Sequence, residues 1–192
     1  MSASSTRRVR TSRRGLVLWI VGLGTLAVIV IAGARGQANA ANPPIDGIPC
    51  DRGEQLAFHI HAHLAIYAAG QPLGIPYGIG IGTPWLIQQS SEGPVVASGT
   101  CFRWLHTHTD DGIIHIESPV QRTFSLGDFF AIWGVPLSGN HVAGAEGPVV
   151  AYVNGERWSG DPREITLLAH ELIQLDVGDD TPPQPFTFPA GL

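Results

Sequence analysis

The chain predicts an α+β domain, a mainly antiparallel sheet with one short helix on one face, following an N-terminal apolar helix. Three observations predict it. Two short runs, FHIHAHLAI (58–66) and LHTHTDDGIIHIES (105–118), alternate polar and apolar residues at the period of a strand. Asp111-Gly112 and Asn154-Gly155 are preferred pairs for two-residue hairpin loops, whose central residues need positive φ. Ser125-Leu126-Gly127-Asp128 resembles a capping box, with Asp in place of Glu or Gln, and opens an apolar stretch that Gly134 and Pro136 stop.

In order along the chain, residues 1–14 form a basic segment and 15–33 are uncharged and mostly apolar, long enough to cross a bilayer. The arginines ahead of them put the N-terminus in the cytoplasm and the domain outside. Ala38-Asn39-Ala40 offers a cleavage site, and Ser12-Arg13-Arg14 before the apolar run resembles a twin-arginine export signal, so a secreted form released near Ala40 is the alternative. Residues 34–49 read as a linker. The domain proper, 50–180, begins with a strand at 55–67, a turn at 68–71 and a Gly- and Pro-broken return over 72–81. Residues 83–100 read as a surface loop. The hairpin of 102–117 follows, then the helix over 125–133, a hairpin of 149–153 with 156–158, a strand at 165–168 and a last strand at 172–177. The Pro-rich tail, 181–192, is expected to be extended, with Phe186 and Phe188 packing back. Hairpin, helix, then further strands is similar in order to a β-grasp domain preceded by an extra hairpin.

The histidines carry the chemistry. Period two places His59, His61 and His63 on one strand face, and Phe58, Ile60, Ala62, Leu64 and Ile66 on the other. If Asp111-Gly112 is a two-residue loop, His108 faces His115 and His106 faces Glu117, all on one face, with opposed Cβ atoms about 4.5–5.5 Å apart. A four-residue loop shifts the partners but keeps the faces, whereas an odd-length loop breaks the cluster. Three imidazoles and a carboxylate suit a transition-metal ion. His106, His108, His115 and Glu117 are the candidate primary ligands; His59, His61 and His63 complete that site or form a second. A solvated face, satisfied core histidines or a pH-responsive patch are the other readings. His141 and His170 read as loop or turn residues.

Composition narrows the partners. From Ala41 onward five arginines face sixteen carboxylates, a formal surplus of eleven negative charges, so nucleic acid is excluded as a partner. An exported domain lets Cys50 and Cys101 form a disulfide. The rival is a thiolate ligand, although Cys101 lies an odd number of residues from His106 and a continuous strand would point it away. Met1 is the only methionine. Cu(I) carriers in oxidising compartments lean on thioethers, so Cu(II) ranks first, Zn(II) second, with Fe or Mn after them. No GxSxG elbow or phosphate-cradling glycine motif is present.

These motifs, HxHAHL, LHTH…DG.IHIES, TFSLGDFFAIWG and the later VNG turn, resemble a family of membrane-anchored or exported prokaryotic proteins with no assigned activity, over most of residues 46–177. The resemblance implies an N-terminal anchor and one extracytoplasmic domain. The HxH pattern is also superficially similar to cupin metal motifs, but the spacing differs and a second cupin motif is missing. Three functions are compatible with these features: a protein that holds or delivers a divalent metal; a metalloenzyme whose three-histidine, one-glutamate site keeps an open position; and an interaction module that docks a membrane protein through its histidine or tryptophan face.

Overall fold

Alternation in the histidine strand gives it two different faces, and the sheet is built around that strand. A computed structural model describes residues 42–91 and 93–192. The basic segment, the apolar 15–33 helix and most of the linker lie outside the described residues. The strands are β1 (Cys50–Asp51), β2 (Phe58–Ala68), β3 (Gln71–Pro72), β4 (Leu86–Ser90), β5 (Gly93–Ser98), β6 (Phe102–Arg103), β7 (Leu105–His106) and β8 (Ile113–Ser118). After the helix α1 (Leu126–Trp133) come β9 (Leu137–Ser138), β10 (His141–Val142), β11 (Ala145–Glu146), β12 (Val149–Val153), β13 (Glu156–Trp158) and β14 (Leu172–Val177).

The main sheet runs β13-β12-β14-β2-β8-β7, with β3 on the end of β2. β2 pairs antiparallel with β8 and parallel with β14, so the first histidine strand is central. The N-terminal hairpin expected from the sequence forms only at its tip, where Tyr67 faces Pro72 and Ala68 faces Gln71; the rest of β2 pairs with the arm that carries His115 and Glu117. Ala62, Leu64 and Ile66 of β2 are buried with Ile114 and Ile116 of β8, and with Ile173, Leu175 and Val177 of β14. Leu126, Phe129 and Phe130 of α1 belong to the same core. The histidines take the opposite face.

Helix α1 forms as its sequence predicts. Ser125 Oγ accepts from the Asp128 amide, and Asp128 Oδ2 accepts from the Ser125 amide, satisfying donors that would otherwise be orphaned at the helix start. Gly134 ends it at φ 77°. Asn154 and Gly155, both at positive φ, join β12 to β13 as expected.

Three segments differ from expectation. Residues 83–100 are not a loop: β4 and β5 form a two-stranded hairpin. Every residue of β4 is exposed, so the apolar alternation that marks a half-buried strand is missing there. After Gln71–Pro72, the return over 72–81 leaves the sheet; its backbone bonds instead to Arg103 and Thr107. Residues 165–168 form no strand. Ile165 and Leu167 are buried, but their backbone pairs with the entry to α1, through Leu126 N–H to Ile165 O and Leu167 N–H to Phe124 O.

Cys50 and Cys101 form a disulfide. It ties the segment before β2 to the segment before β7, beside the paired strands β1 and β6.

Candidate metal centre

Strand register assembles the site. Across β2 and β8, His61 faces His115 and His59 faces Glu117. Across β7 and β8, His106 faces His115. His61, His115 and His106 thus form one row over three strands, and His59 with Glu117 forms the next. Registered neighbours project to the same face at close range, which is why three separate strands deliver side chains to one spot.

The β7–β8 register differs by two residues from the two-residue-loop expectation, which paired His106 with Glu117 and His108 with His115. Thr107 causes the difference. Its hydroxyl donates to Pro76 O and accepts from Ile79 N–H, and its amide donates to Ile79 O, drawing the chain away from β8. Only Gly112 of the Asp111-Gly112 pair has positive φ, at 82°. Its carbonyl accepts from Leu64 N–H, and a Cβ there would meet Leu64 O at 2.3 Å. A shift of two conserves the face, so the ligand set survives.

Two groups of side chains result: His106, His108, His115 and Glu117; and His59, His61 and His115. In each group the potential ligand atoms all lie within 4.8 Å of one another. His106 Nε2 and His108 Nε2 are 3.1 Å apart, His59 Nε2 and His61 Nε2 3.0 Å, and His61 Nε2 and His115 Nδ1 3.2 Å. Two nitrogens each about 2.0–2.1 Å from one ion, at ordinary tetrahedral or octahedral angles, lie about 2.9–3.4 Å apart. The observed spacings fall in that range.

The outward nitrogens of two rings fix what their inward nitrogens are. His106 Nδ1 is 2.8 Å from Arg103 O, and His108 Nδ1 is 2.6 Å from Val96 O. A carbonyl only accepts, so each Nδ1 carries a hydrogen, and a ring that is neutral in this arrangement presents a bare lone pair at Nε2. Such a backbone partner is the usual outer support of a metal-ligating histidine. The hairpin β4–β5, read from sequence as a loop, supplies Val96 for this purpose. Arg103 is itself anchored: its buried guanidinium donates to Ile48 O and Pro43 O, each at 3.0 Å.

Glu117 is 3% exposed and lies among imidazoles. Oε1 is 3.1 Å from His59 Nε2 and 3.5 Å from His115 Nδ1; Oε2 is 3.9 Å from His106 Nε2. Oε2 is buried and has no hydrogen-bond partner among the described residues. An unmatched carboxylate oxygen in a dry place is costly unless a cation faces it.

The electrostatics favour neutral, metal-ready rings. Burial, then the neighbouring His108 and His115, pushes His106 down to about 3. Burial, then His115 and His59, lowers His61 to about 4. Burial likewise lowers His115. For Glu117 burial pushes the carboxyl up, but His115, His106 and His59 together outweigh it and hold it below its ordinary value.

His63 joins neither group. It shares the face but stands one row further along, opposite Ile113. Its Nε2 is 3.1 Å from Asp111 O and its ring stacks on Phe186 of the tail. His170 sits in a turn at φ 58° with Nε2 3.0 Å from Leu192 O, and His141 lies in β10. Both are outside the two groups; His170 is in a turn as the sequence predicts, whereas His141, read as loop, is paired in a short three-stranded sheet with β9 and β11. Cys101 is committed to the disulfide, which removes the thiolate alternative.

One polar neighbour escaped the sequence reading. Glu54 Oε1 lies 3.3 Å from His108 Nε2. Its signal was indirect: it is four residues after Cys50, whose bond to Cys101 brings the segment alongside the second histidine run.

Comparison with protein-family models, with curated proteins and with solved structures finds no match to this chain.

Proposed function

We propose that this domain binds a divalent transition-metal ion through His106, His108, His115 and Glu117, and that it holds or delivers the ion outside the cytoplasmic membrane. One observation carries the metal reading: with each Nδ1 donating to a backbone carbonyl, His106 and His108 turn their Nε2 atoms toward each other at 3.1 Å, beside a buried Glu117 oxygen that has no hydrogen-bond partner among the described residues. In the neutral rings these converging lone pairs repel, and a cation is what reconciles them. Cu(II) ranks first, because imidazole-rich sites follow the Irving–Williams order, and Zn(II) second. Iron and manganese follow.

The apolar 15–33 segment and the arginines before it support export, with the chain retained by that helix in the membrane or released near Ala40. A membrane protein that supplies or accepts the ion is the partner this location implies. The strand order, with parallel β2 and β14 at the centre, supports a β-grasp-like arrangement in which residues 69–112 are an insertion between its first two strands.

The partial exposure of His59, His108 and His115 favours a second reading, a metalloenzyme with an exchangeable position at the ion. Elemental analysis and calorimetric titration of untagged protein test the metal reading: micromolar or tighter binding of Cu(II) or Zn(II) is expected, and no binding of either ion rejects it. Azide added to the Cu(II) form separates the two roles. A holder's spectrum is unchanged; a shifted spectrum with consumption of dioxygen or peroxide establishes the enzyme.

A further inference from the structure

We infer that the centre is dinuclear, taking a second divalent transition-metal ion at His59 and His61, with the Glu117 carboxylate bridging the two ions. The inference rests on the metal reading above and concerns how many ions that face holds.

The two oxygens of Glu117 address different ligands. Oε2 lies toward His106, at 3.9 Å from its Nε2. Oε1 lies toward the other group, 3.1 Å from His59 Nε2 and 3.5 Å from His115 Nδ1. A carboxylate placed this way binds one ion per oxygen, an arrangement that holds two metals about 3.5–4 Å apart in known dinuclear sites.

Ligands suffice for both ions. His59, His61 and His115 form a group in which His61 Nε2 is 3.0 Å from His59 Nε2 and 3.2 Å from His115 Nδ1; Glu117 Oε1, outside that group but 3.1 Å from His59 Nε2, is the fourth donor of the inferred site. His115 belongs to both groups. Once it serves the His59 and His61 ion through Nδ1, the inner ion keeps His106, His108 and Glu117 Oε2. Glu54 Oε1 lies outside both groups, 3.3 Å from His108 Nε2, and a side-chain rotation toward His106 would make it the fourth ligand. Glu54 thereby acquires a role, and Glu117 and Glu54 supply negative charge to offset two dications.

The site is also graded in depth. His106 is fully buried, whereas His59 is 37% exposed. The outer ion is therefore the more exchangeable one, and it is the one expected to leave first when a chelator is applied.

Cu(II) alone, titrated into untagged full-length protein, tests this. Two ions per chain are expected, with the second equivalent reducing the electron paramagnetic resonance intensity per copper through coupling across Glu117. His59→Ala and His61→Ala, with circular dichroism unchanged, should each bind one ion, with first-ion affinity within fivefold of wild type. Wild-type saturation at one ion overturns the dinuclear inference and leaves the single-ion reading standing; no binding at all sinks both. Two ions retained by both variants, or two full uncoupled spins per chain, also overturns it, since the second ion then sits elsewhere or shares no bridge.

Discussion

His63 and Phe186 lie face to face, ring centroids 3.6 Å apart, and this stack, together with the Asp111 carbonyl, occupies the third histidine of β2. Phe186 is held there because the tail is fastened to β14: Gln174 donates to Thr181 O and accepts from Gln184 N–H, while Asp176 accepts from Thr181 N–H. His63→Ala should leave metal affinity within about twofold of wild type. Calorimetric titration checks this, and a tenfold loss would place His63 among the ligands.

His108→Ala and His115→Ala should each weaken metal binding at least tenfold, because each removes one of the ligand atoms that converge on the site. His170→Ala, whose ring is engaged with Leu192 O and Phe188, should not. Competition with a chromophoric chelator measures all three. Unimpaired binding by both hairpin variants would remove the site.

The metal-free domain should lose stability as pH falls below about 6.5. His61 and His106 are lowered to about 4 and about 3, so the unfolded chain takes up their protons first. The stabilisation is present above the ordinary histidine pKa of about 6.5 and is lost as pH drops through that range toward about 4 and then about 3, at a slope of about 1.4 kcal/mol per pH unit for each group. Glu117, also lowered, adds a loss of the same sign at lower pH. Thermal melts from pH 7.5 to 4.5 should fall monotonically, and bound metal should raise the whole curve. A melting temperature independent of pH over that range would contradict the buried neutral rings.

Replacing Cys50 and Cys101 together by alanine should cost roughly 4 kcal/mol in denaturant unfolding, since the bond closes a loop with a sequence separation of 51. Metal affinity should fall as well, because the same bond keeps the segment bearing Glu54 beside His108.

Gly112→Ala should destabilise the domain by more than an ordinary loop substitution. Its φ of 82° disfavours a side chain, and the added Cβ would strike Leu64 O at 2.3 Å. Since Leu64 N–H bonds to Gly112 O, the strain falls on the connection that sets where β8 begins. Unfolding titrations should show it, with His115 chemical shifts perturbed.

Much of the site was legible because a strand's period is two: once the core face of β2 and β8 is known, the face of His59, His61, His115 and Glu117 follows. The register was not legible, because it depends on Thr107 bonding to Pro76 and Ile79, a contact local sequence does not encode. Helix α1 was readable to within a residue, since its caps are local. The hairpin β4–β5 was hidden by its fully exposed first strand. Glu54 and Phe186 reach the histidine face from distant segments, one through the disulfide and the other through the tail clamp, so neither spacing nor pattern announces them.

Arg103 stands between the first described residues and the domain's most buried histidine. Its guanidinium grips the carbonyls of Pro43 and Ile48, and its own carbonyl orients His106. The segment from Pro43 to Ile48 is therefore joined to His106 through one residue, beside the β1–β6 pairing and the disulfide. The placement of residues 43–48 and the donor geometry of His106 are thus a single variable, and whatever displaces that segment acts on the grip of the site itself.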